Sequence, residues 1–360
     1  MKKFKKLLLV LAIAISALCL ALGLAACGDK GNEGNGNESG NQNQEGETPI
    51  TPVEGTEGLE YTLSDDGTYY IASGMGTCTA TEIVIANTYN ALPVKEIGDG
   101  AFSNCDELTA VTISNGVTTI GDAAFAGGAD YDETDDSWMA YRWHSSLASI
   151  TIPDSVTSIG RAAFAYCDVL SSITIPDSVT SIWSGAFEGC SALTSITIPN
   201  SVTRIRRATF SDCIGLTSVT IPNSVTSIEA YAFGYCFGLT SITVPNSVTS
   251  IEANAFTICR SLTSVTIGNS VTSIGKGAFY GCSELTSITI PNSVTSISNL
   301  AFSNCSALTS VTFENTDGWL VSWSESMSDS TPISSSDLSN LATAAEYLKN
   351  TYSSCYWKRG

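Results

Sequence analysis

The chain has 360 residues, of which 43% are apolar and only 14% are Asp, Glu, Lys or Arg. This apolar content is enough for a large core, and the charged fraction is well below the ~25% usual for soluble proteins. The 35 acidic and 16 basic residues give a formal net charge of −19. A chain this acidic repels nucleic-acid phosphates and anionic lipid headgroups, so nucleic-acid binding is disfavoured.

Residues 1–26 are predicted to be a signal peptide. Basic residues 1–6 precede the apolar segment 7–26, which is the order found in export signals. The sequence Leu-Ala-Ala-Cys that ends at Cys27 resembles the bacterial lipoprotein signal, and this resemblance implies cleavage before Cys27 and acylation of its thiol. The alternative is an uncleaved membrane helix. In both cases the rest of the chain is exported and held at a membrane.

Residues 27–58 are predicted to be a lipid-anchored, disordered tether. After Cys27 they are mainly Gly, Asn, Gln and Glu, with seven acids and one lysine. Such a composition buries too little apolar surface to offset the entropy lost on ordering. In the segment that follows, Asp66-Gly67 lies between two alternating stretches, a pattern that predicts a β-hairpin.

A 23-residue repeat occupies residues 102–313. Its first leucine recurs with this period from Leu147 to Leu308, and one longer step, from Leu108 to Leu147, contains an insertion. The most regular column consists of nine phenylalanines: Phe102, Phe125, Phe164, Phe187, Phe210, Phe233, Phe256, Phe279 and Phe302. A single repeat cannot bury its own apolar side chains, so the period predicts stacked coils that share one core.

Each repeat is predicted to add a strand to a parallel ladder. In the unit that begins at Leu193, Ile196 and Ile198 alternate with Ser195 and Thr197, which predicts an apolar inner face and a polar outer face. The Pro-Asn-Ser that follows favours a turn and ends the strand. The predicted fold class is therefore a β-rich solenoid.

The insertion near 127–142 contains the candidate binding residues. Exposed aromatic residues beside acidic residues are suited to binding a partner, and loops on rigid scaffolds often carry binding residues. The candidates are Asp130, Asp132, Asp135, Asp136, Trp138, Tyr141 and Trp143. One alternative is that the tryptophans fold back onto the core. Another is a calcium loop that begins at Asp130, which is disfavoured because Asp135 and Tyr141 occupy its Gly and Glu positions.

A column of cysteines also follows the repeat: Cys105, Cys167, Cys190, Cys213, Cys236, Cys259, Cys282 and Cys305. No Cys-x-x-Cys pair suited to zinc occurs. We predict buried thiols that fill the core, with disulfides between neighbouring coils as the alternative. His144, the only histidine, falls in the same column when counted back from Leu147. With no catalytic motif present, the chain is predicted not to be an enzyme and to need no metal or cofactor.

The repeat, typified by LTSITIPNSVTSI followed by Ala-Phe and Cys, resembles that of the BspA-type leucine-rich repeat surface proteins of bacteria. The resemblance implies a leucine-rich repeat solenoid with an N-terminal cap over residues 59–101 and a C-terminal cap over residues 314–360. A helix is expected at 337–351 in the C-terminal cap.

The resemblance also implies a role in adhesion or protein binding outside the cell. We therefore expect a lipid-anchored protein at the bacterial cell surface that contacts host or microbial proteins. The alternatives are a structural coat protein without a specific ligand and a module that binds cell-wall glycans.

Overall fold

The computed structural model describes residues 51–127 and 145–360, together with the backbone of two short strands between residues 128 and 144. The predicted signal peptide, the predicted lipidation site Cys27 and residues 28–50 of the predicted tether lie outside the described residues. The described part of the chain forms one compact unit.

An antiparallel hairpin begins the fold, as predicted. Its strands are β1 (Glu60–Leu63) and β2 (Tyr70–Gly74). Between them Gly67 has a φ of 74°, a left-handed conformation that glycine adopts without steric cost. Strand β2 then pairs in parallel with the first strand of a solenoid sheet, so the hairpin caps that end of the stacked coils.

Residues 51–58, predicted as the end of the disordered tether, are instead hydrogen-bonded to the fold. The Thr56 N–H donates to the Val84 carbonyl at 2.9 Å, and the Thr56 hydroxyl accepts from the Val84 N–H at 2.8 Å. The side-chain oxygen of Asn87 accepts from the Val53 N–H at 2.8 Å. Val84 lies in an edge strand, and edge strands otherwise lack partners on one side. This pairing corrects the predicted boundary.

Each regular coil has three sides, as residues 193–215 show. A first strand, Ser195–Thr197, leads into a turn closed by the hydrogen bond from the Val202 N–H to the Pro199 carbonyl at 3.1 Å. A second strand, Arg204–Ile205, follows, and an irregular third side returns the chain to the next coil. Pro199 helps to end the first strand because it has no N–H to donate.

Strands of successive coils are parallel and in register, so that residues one period apart, such as Ser195 and Ser218, face each other. The first-side strands are β3 (Glu82–Ile85), β6 (Ala110–Ile113), β10 (Ser149–Thr151), β13 (Ser195–Thr197), β15 (Ser218–Thr220), β17 (Ser241–Thr243), β19 (Ser264–Thr266), β21 (Ser287–Ile290) and β23 (Ser310–Phe313). The second-side strands are β5 (Leu92–Ile97), β7 (Thr119–Ile120), β11 (Ser158–Ile159), β12 (Ser181–Ile182), β14 (Arg204–Ile205), β16 (Ser227–Ile228), β18 (Ser250–Ile251), β20 (Ser273–Ile274) and β22 (Ser296–Ile297).

Two local features depart from this pattern. A short strand β4 (Thr88–Tyr89) pairs antiparallel with β5. The coil that begins at Leu170 contributes a second-side strand but no first-side strand.

The third side is held by backbone hydrogen bonds to the next coil. The Phe210 N–H donates to the Ala232 carbonyl at 2.9 Å, and the Asp212 N–H donates to the Gly234 carbonyl at 2.8 Å. Two residues of this coil, Ala208 and Asp212, have positive φ values of 53° and 57°, and both positions recur in other coils. The third side therefore has a kinked backbone, and its amide groups form hydrogen bonds between coils.

The nine phenylalanines form a continuous stack in the core. Each is at most 2% exposed, and neighbouring ring centroids lie 5.3–5.5 Å apart with interplanar angles of 3–10°. Leu193, Ile196 and Ile198 are buried around them, while Ser195 and Thr197 are exposed. This arrangement confirms the predicted shared core and the predicted polar outer face of the first side.

Serine and threonine side chains also join the coils. The Thr217 hydroxyl donates to the Thr194 carbonyl at 3.0 Å, and the Ser224 hydroxyl donates to the Val202 carbonyl at 2.8 Å. Equivalent bonds recur one period later, for example from Ser247. These bonds give a physical reason for the recurrence of both residue types.

Two short helices, α1 (Ser335–Ser339) and α2 (Leu341–Glu346), and a π-helical turn (Tyr347–Thr351) lie in the C-terminal cap. The predicted single helix over 337–351 is interrupted at Asn340. The extended backbone of Asn340 (φ −88°, ψ 110°) ends α1, and its side chain accepts from the Thr343 N–H at 3.0 Å to begin α2. Three antiparallel strands extend the second-side sheet: β24 (Trp319–Ser322), β25 (Thr331–Pro332) and β26 (Tyr356–Arg359).

Candidate functional site

The turns that run from each cysteine of the column to the leucine of the next repeat, such as residues 190–193, lie along one edge of the solenoid. We call this edge the cysteine edge. In a regular coil this leucine comes shortly after the core phenylalanine, as Leu193 follows Phe187, whereas the whole insertion separates Leu147 from Phe125. The insertion near 127–142 therefore enters and leaves the solenoid at the cysteine edge.

The structure places part of the predicted site on a hairpin within this insertion. Strands β8 (Asp130–Asp132) and β9 (Ser137–Met139) pair antiparallel, with Trp138 opposite Tyr131. Asp130 and Asp132 thus share one strand, and Trp138 lies on the other. The remaining candidates lie outside the described residues, together with His144: Asp135, Asp136, Tyr141 and Trp143.

Apolar side chains are exposed on the cysteine edge of the following coils. Val169 and Ile214 are each 45% exposed. Phe237 is half-buried, and the Arg260 guanidinium lies 5.0 Å from its ring centroid. Ile214 lies three coils from the coil that carries the insertion, and the stacked phenylalanine rings advance by 5.4–5.5 Å at each of these coils. The points at which the insertion leaves and re-enters the coils lie on the same edge as these side chains.

Other variable positions place aromatic residues on the third side. The Arg206 guanidinium lies 4.1 Å from the ring centroid of Trp183 on the preceding coil, a distance typical of a cation–π contact. Tyr231, Tyr235 and Tyr280 line a common groove further along. The sequence marks these positions as variable, but only the coil geometry shows which of them meet.

The cysteine column consists mainly of buried thiols that donate hydrogen bonds between coils. The Cys213 thiol donates to the Phe187 carbonyl at 3.1 Å, and every cysteine among the described residues is free. Burial raises the pKa of the Cys167 and Cys259 thiols to about 12. A thiol that stays protonated at neutral pH is a poor nucleophile and a poor metal ligand, so these groups act as core residues.

A pair of acids that the sequence analysis missed lies on the third side. Burial raises the pKa of Glu188 to about 7, and the negative charge of Asp212 on the next coil adds to this shift, whereas Arg207 opposes it. Burial also raises the pKa of Asp212. The neighbouring Tyr166 has its pKa raised to about 12 by burial and by both acids. Glu188 and Asp212 are separated in the sequence by one repeat period plus one residue. This separation brings the two acids together only because the chain is coiled.

The described residues contain neither a cluster of metal-binding side chains nor a membrane-spanning helix. No group of three or more His, Cys, Asp or Glu side chains in residues 51–127 and 145–360 is arranged to hold a metal ion. Within the same part of the chain, no helix has the length and apolar character needed to cross a bilayer.

A family model described as the BspA type leucine rich repeat region matches the chain in six copies, over residues 75–132, 138–260 and 226–356. These ranges cover more than half of the 360 residues. A comparison with curated proteins finds no match.

Several solved leucine-rich repeat proteins are similar to this chain. The T. pallidum leucine rich repeat protein is 23% identical over 70% of this chain and 88% of its own, with a TM-score of 0.46. A leucine rich cell surface protein from Faecalibacterium prausnitzii is 26% identical over 74% and 96%, with a TM-score of 0.43. A leucine-rich repeat protein from Bacteroides ovatus is 23% identical over 72% and 88%, with a TM-score of 0.36.

The family match accounts for the period, the parallel strands and the phenylalanine column described above. Repeats of this family build interaction scaffolds rather than enzymes. The chain belongs to the BspA-type leucine-rich repeat family.

Proposed function

We propose that this protein is anchored by lipid at the bacterial cell surface and binds extracellular proteins through its cysteine edge. The observation that carries the proposal is the stacking of Phe125 and Phe164 at 5.5 Å across the insertion. The coils close without the inserted residues, so the scaffold has no structural need for them. A projecting segment on a rigid scaffold is a common location for binding residues.

The partner we propose presents apolar side chains flanked by basic ones. The insertion carries Asp130, Asp132 and further acids, which complement Lys or Arg on a partner. Val169 and Ile214 supply exposed apolar area on the same edge. Several shallow contacts along a rigid edge would then provide the affinity, with aromatic residues such as Trp138 as candidate hot spots.

Binding is tested with the described unit, residues 51–360, immobilised and titrated with extracellular-matrix proteins and surface-protein extracts. The matched variant deletes residues 128–143 and replaces His144 with Cys, which restores the regular period. We expect saturable binding by the parent and at least about a tenfold loss in the variant, with unchanged circular dichroism. Absence of saturable binding by the parent would favour the coat role instead.

The anchoring part of the proposal is supported by the basic and apolar leader and by the residues before Cys27. Bacteria that express the full chain would be fed a clickable fatty acid, and the labelled protein would be detected in the membrane fraction. Cys27→Ala should abolish the label. Equal labelling of the variant and the parent would rule out acylation at this cysteine.

A further inference from the structure

A groove on the third side lies outside the surface assigned above to protein binding. It has a volume of about 220 Å³, and its lining includes Tyr231, Tyr235, Asn254, Thr257, Lys276 and Tyr280. Gly277 and Gly281 have φ values of 61° and 71° and occupy the positions held by Tyr231 and Tyr235 two coils earlier. Tyr231 and Tyr235 lie on one coil and Tyr280 on the second coil after it, and all three line the groove. A side chain at Gly277 would collide with Asn254, because an added Cβ would overlap the Asn254 Oδ1.

Several polar groups in this groove lack protein partners among the described residues, whereas the Tyr280 hydroxyl accepts a hydrogen bond from the Asn304 side chain at 2.7 Å. Thr257 is only 4% exposed, yet its hydroxyl makes no hydrogen bond to any residue that the structure describes. The same holds within residues 51–127 and 145–360 for the Asn254 amide and for the hydroxyls of Tyr231 and Tyr235. Thr257 is buried, whereas Asn254, Tyr231 and Tyr235 are partly exposed, so the polar atoms of these three side chains are accessible to a polar ligand in the groove.

The backbone around the groove is already paired between coils. The Tyr231 N–H donates to the Ala253 carbonyl at 3.1 Å, and the Tyr235 N–H donates to the Thr257 carbonyl at 2.8 Å. On the next coil, the Asn254 N–H donates to the Lys276 carbonyl at 2.8 Å. Peptides that add to a sheet need unpaired backbone groups at an edge. The groove instead offers side-chain hydroxyl, amide and ammonium groups, which favours a ligand recognised through its own hydroxyls.

The charges disfavour a cation and a polyanion. The groove lining contains one cation, Lys276, and no carboxylate, so it offers no counter-charge to a cationic ligand. The chain as a whole has a formal net charge of −19, which repels polyanions at long range. Among the described residues Lys276 has no ion-pair partner, so its ammonium is available to donate hydrogen bonds.

We propose that this groove binds a neutral pyranose unit of a glycan. The polarised C–H groups of a pyranose face can pack against the negative face of a tyrosine ring, while its hydroxyls bond to Asn254, Thr257 and Lys276. The volume of 220 Å³ corresponds to about seven waters at ~30 Å³ each. It is therefore suited to one sugar ring of a longer chain rather than to a whole oligosaccharide.

Residues 51–360 would be titrated with neutral tetrasaccharides of glucose, galactose, mannose and N-acetylglucosamine, using calorimetry and saturation-transfer NMR. We expect one of them to bind with a Kd of about 10 μM to 1 mM. Tyr231→Ala should weaken binding about tenfold and should fold, because Ala208 holds the equivalent left-handed position with a φ of 53°. Thr257→Val should also weaken binding, while the melting temperature stays equal or rises.

Tyr166→Ala is the matched control, because Tyr166 shares its column and its positive φ with Tyr235 but is not part of the groove lining. It should leave sugar affinity unchanged, as should deletion of residues 128–143. The deletion separates the groove from the proposed protein-binding edge, because it removes only residues of the insertion. Three outcomes would overturn the proposal: no binding by any neutral sugar, unchanged affinity in both groove variants, or tighter binding of a uronate tetrasaccharide or of a random peptide library.

Discussion

The rings of Phe125 and Phe164 stack with centroids 5.5 Å apart and an interplanar angle of 3°, although the whole insertion lies between them in the chain. Regular neighbours such as Phe187 and Phe210, which are separated by a single repeat period, have the same stacking geometry. The inserted residues therefore leave the core at one edge and return to it without a change of register.

This relationship predicts that the insertion can be removed without unfolding the protein. Deletion of residues 128–143 with His144→Cys leaves Phe-Ala-Gly-Cys-Ser-Ser-Leu between the two coils, close to the regular pattern that begins at Phe187. We expect the free energy of unfolding to change by less than about 1 kcal/mol, since a shorter surface loop costs less closure entropy. Urea unfolding of the parent and the variant measures this change in the free energy of unfolding.

Deletion of a further four residues, 124–127, serves as the contrasting variant because it removes the core residue Phe125. That variant should lose at least about 3 kcal/mol. If the first deletion were equally destabilising, the inserted residues would belong to the core.

The cysteine column should be protected from thiol reagents in the native state. Residues 51–360 contain ten cysteines, of which only Cys78 and Cys105 are partly exposed. Burial raises the pKa of Cys305 to about 12, and only the thiolate reacts readily. Native protein treated with a disulfide reagent should therefore be modified mainly at the two partly exposed positions, and all ten thiols should react in denaturant.

The double variant Cys78→Ser and Cys105→Ser should then show almost no native reaction. Fewer than eight reactive thiols in denatured, unreduced double variant would reveal disulfides and contradict the buried-thiol interpretation.

The carboxyl pair on the third side predicts lower stability at neutral pH than in mild acid. The pKa of Glu188 is about 7 in the folded protein against 4.5 for an unperturbed glutamate, so the folded state keeps a proton that the unfolded state has lost. Its contribution is fully present below about pH 4.5 and is lost as the pH rises to about 7. At 1.36 kcal/mol per pKa unit, the upper limit is about 3 kcal/mol.

Glu188→Gln should therefore stabilise the protein at pH 8, by up to that amount, and have little effect at pH 4. Chemical denaturation at both pH values measures the difference. Glu284→Gln, at an exposed position, is the control. Equal effects of Glu188→Gln at both pH values would contradict the raised pKa.

Residues 51–58 should contribute to stability even though their composition resembles a tether. Their removal takes away the hydrogen bonds between Thr56 and Val84 and leaves an edge strand unpaired. At about 1 kcal/mol for each net hydrogen bond, we expect residues 59–360 to be about 2–3 kcal/mol less stable than residues 51–360. Faster amide exchange at Val84 would locate the effect, and equal stability of the two forms would contradict it.

Features repeated in every unit could be predicted from the sequence because equivalent residues of all the repeats occupy the same environment. The burial of the phenylalanine column and the polar outer face of Ser195 and Thr197 belong to this class. The N-terminal hairpin occurs once, but its Asp66-Gly67 turn is a strong local signal. Other features that occur once were missed or misplaced. Asn340 interrupts the expected helix through its own capping bond, and Thr56 pairs with a strand 28 residues away.

The groove and the acid pair depend on contacts between coils. Tyr231 and Tyr280 lie on different coils and line one groove only because these coils stack, and Glu188 lies near Asp212 only because each coil advances by one strand spacing. Neither relationship is visible in a single repeat.

The amino-acid pattern alone determined the period, the parallel solenoid and the core columns, because a unit that cannot bury its own apolar face must stack on its copies. The tertiary structure decided where the insertion emerges, which variable side chains form a groove and which acids share a buried environment. These properties depend on distances between residues in different coils, and a linear sequence does not specify those distances.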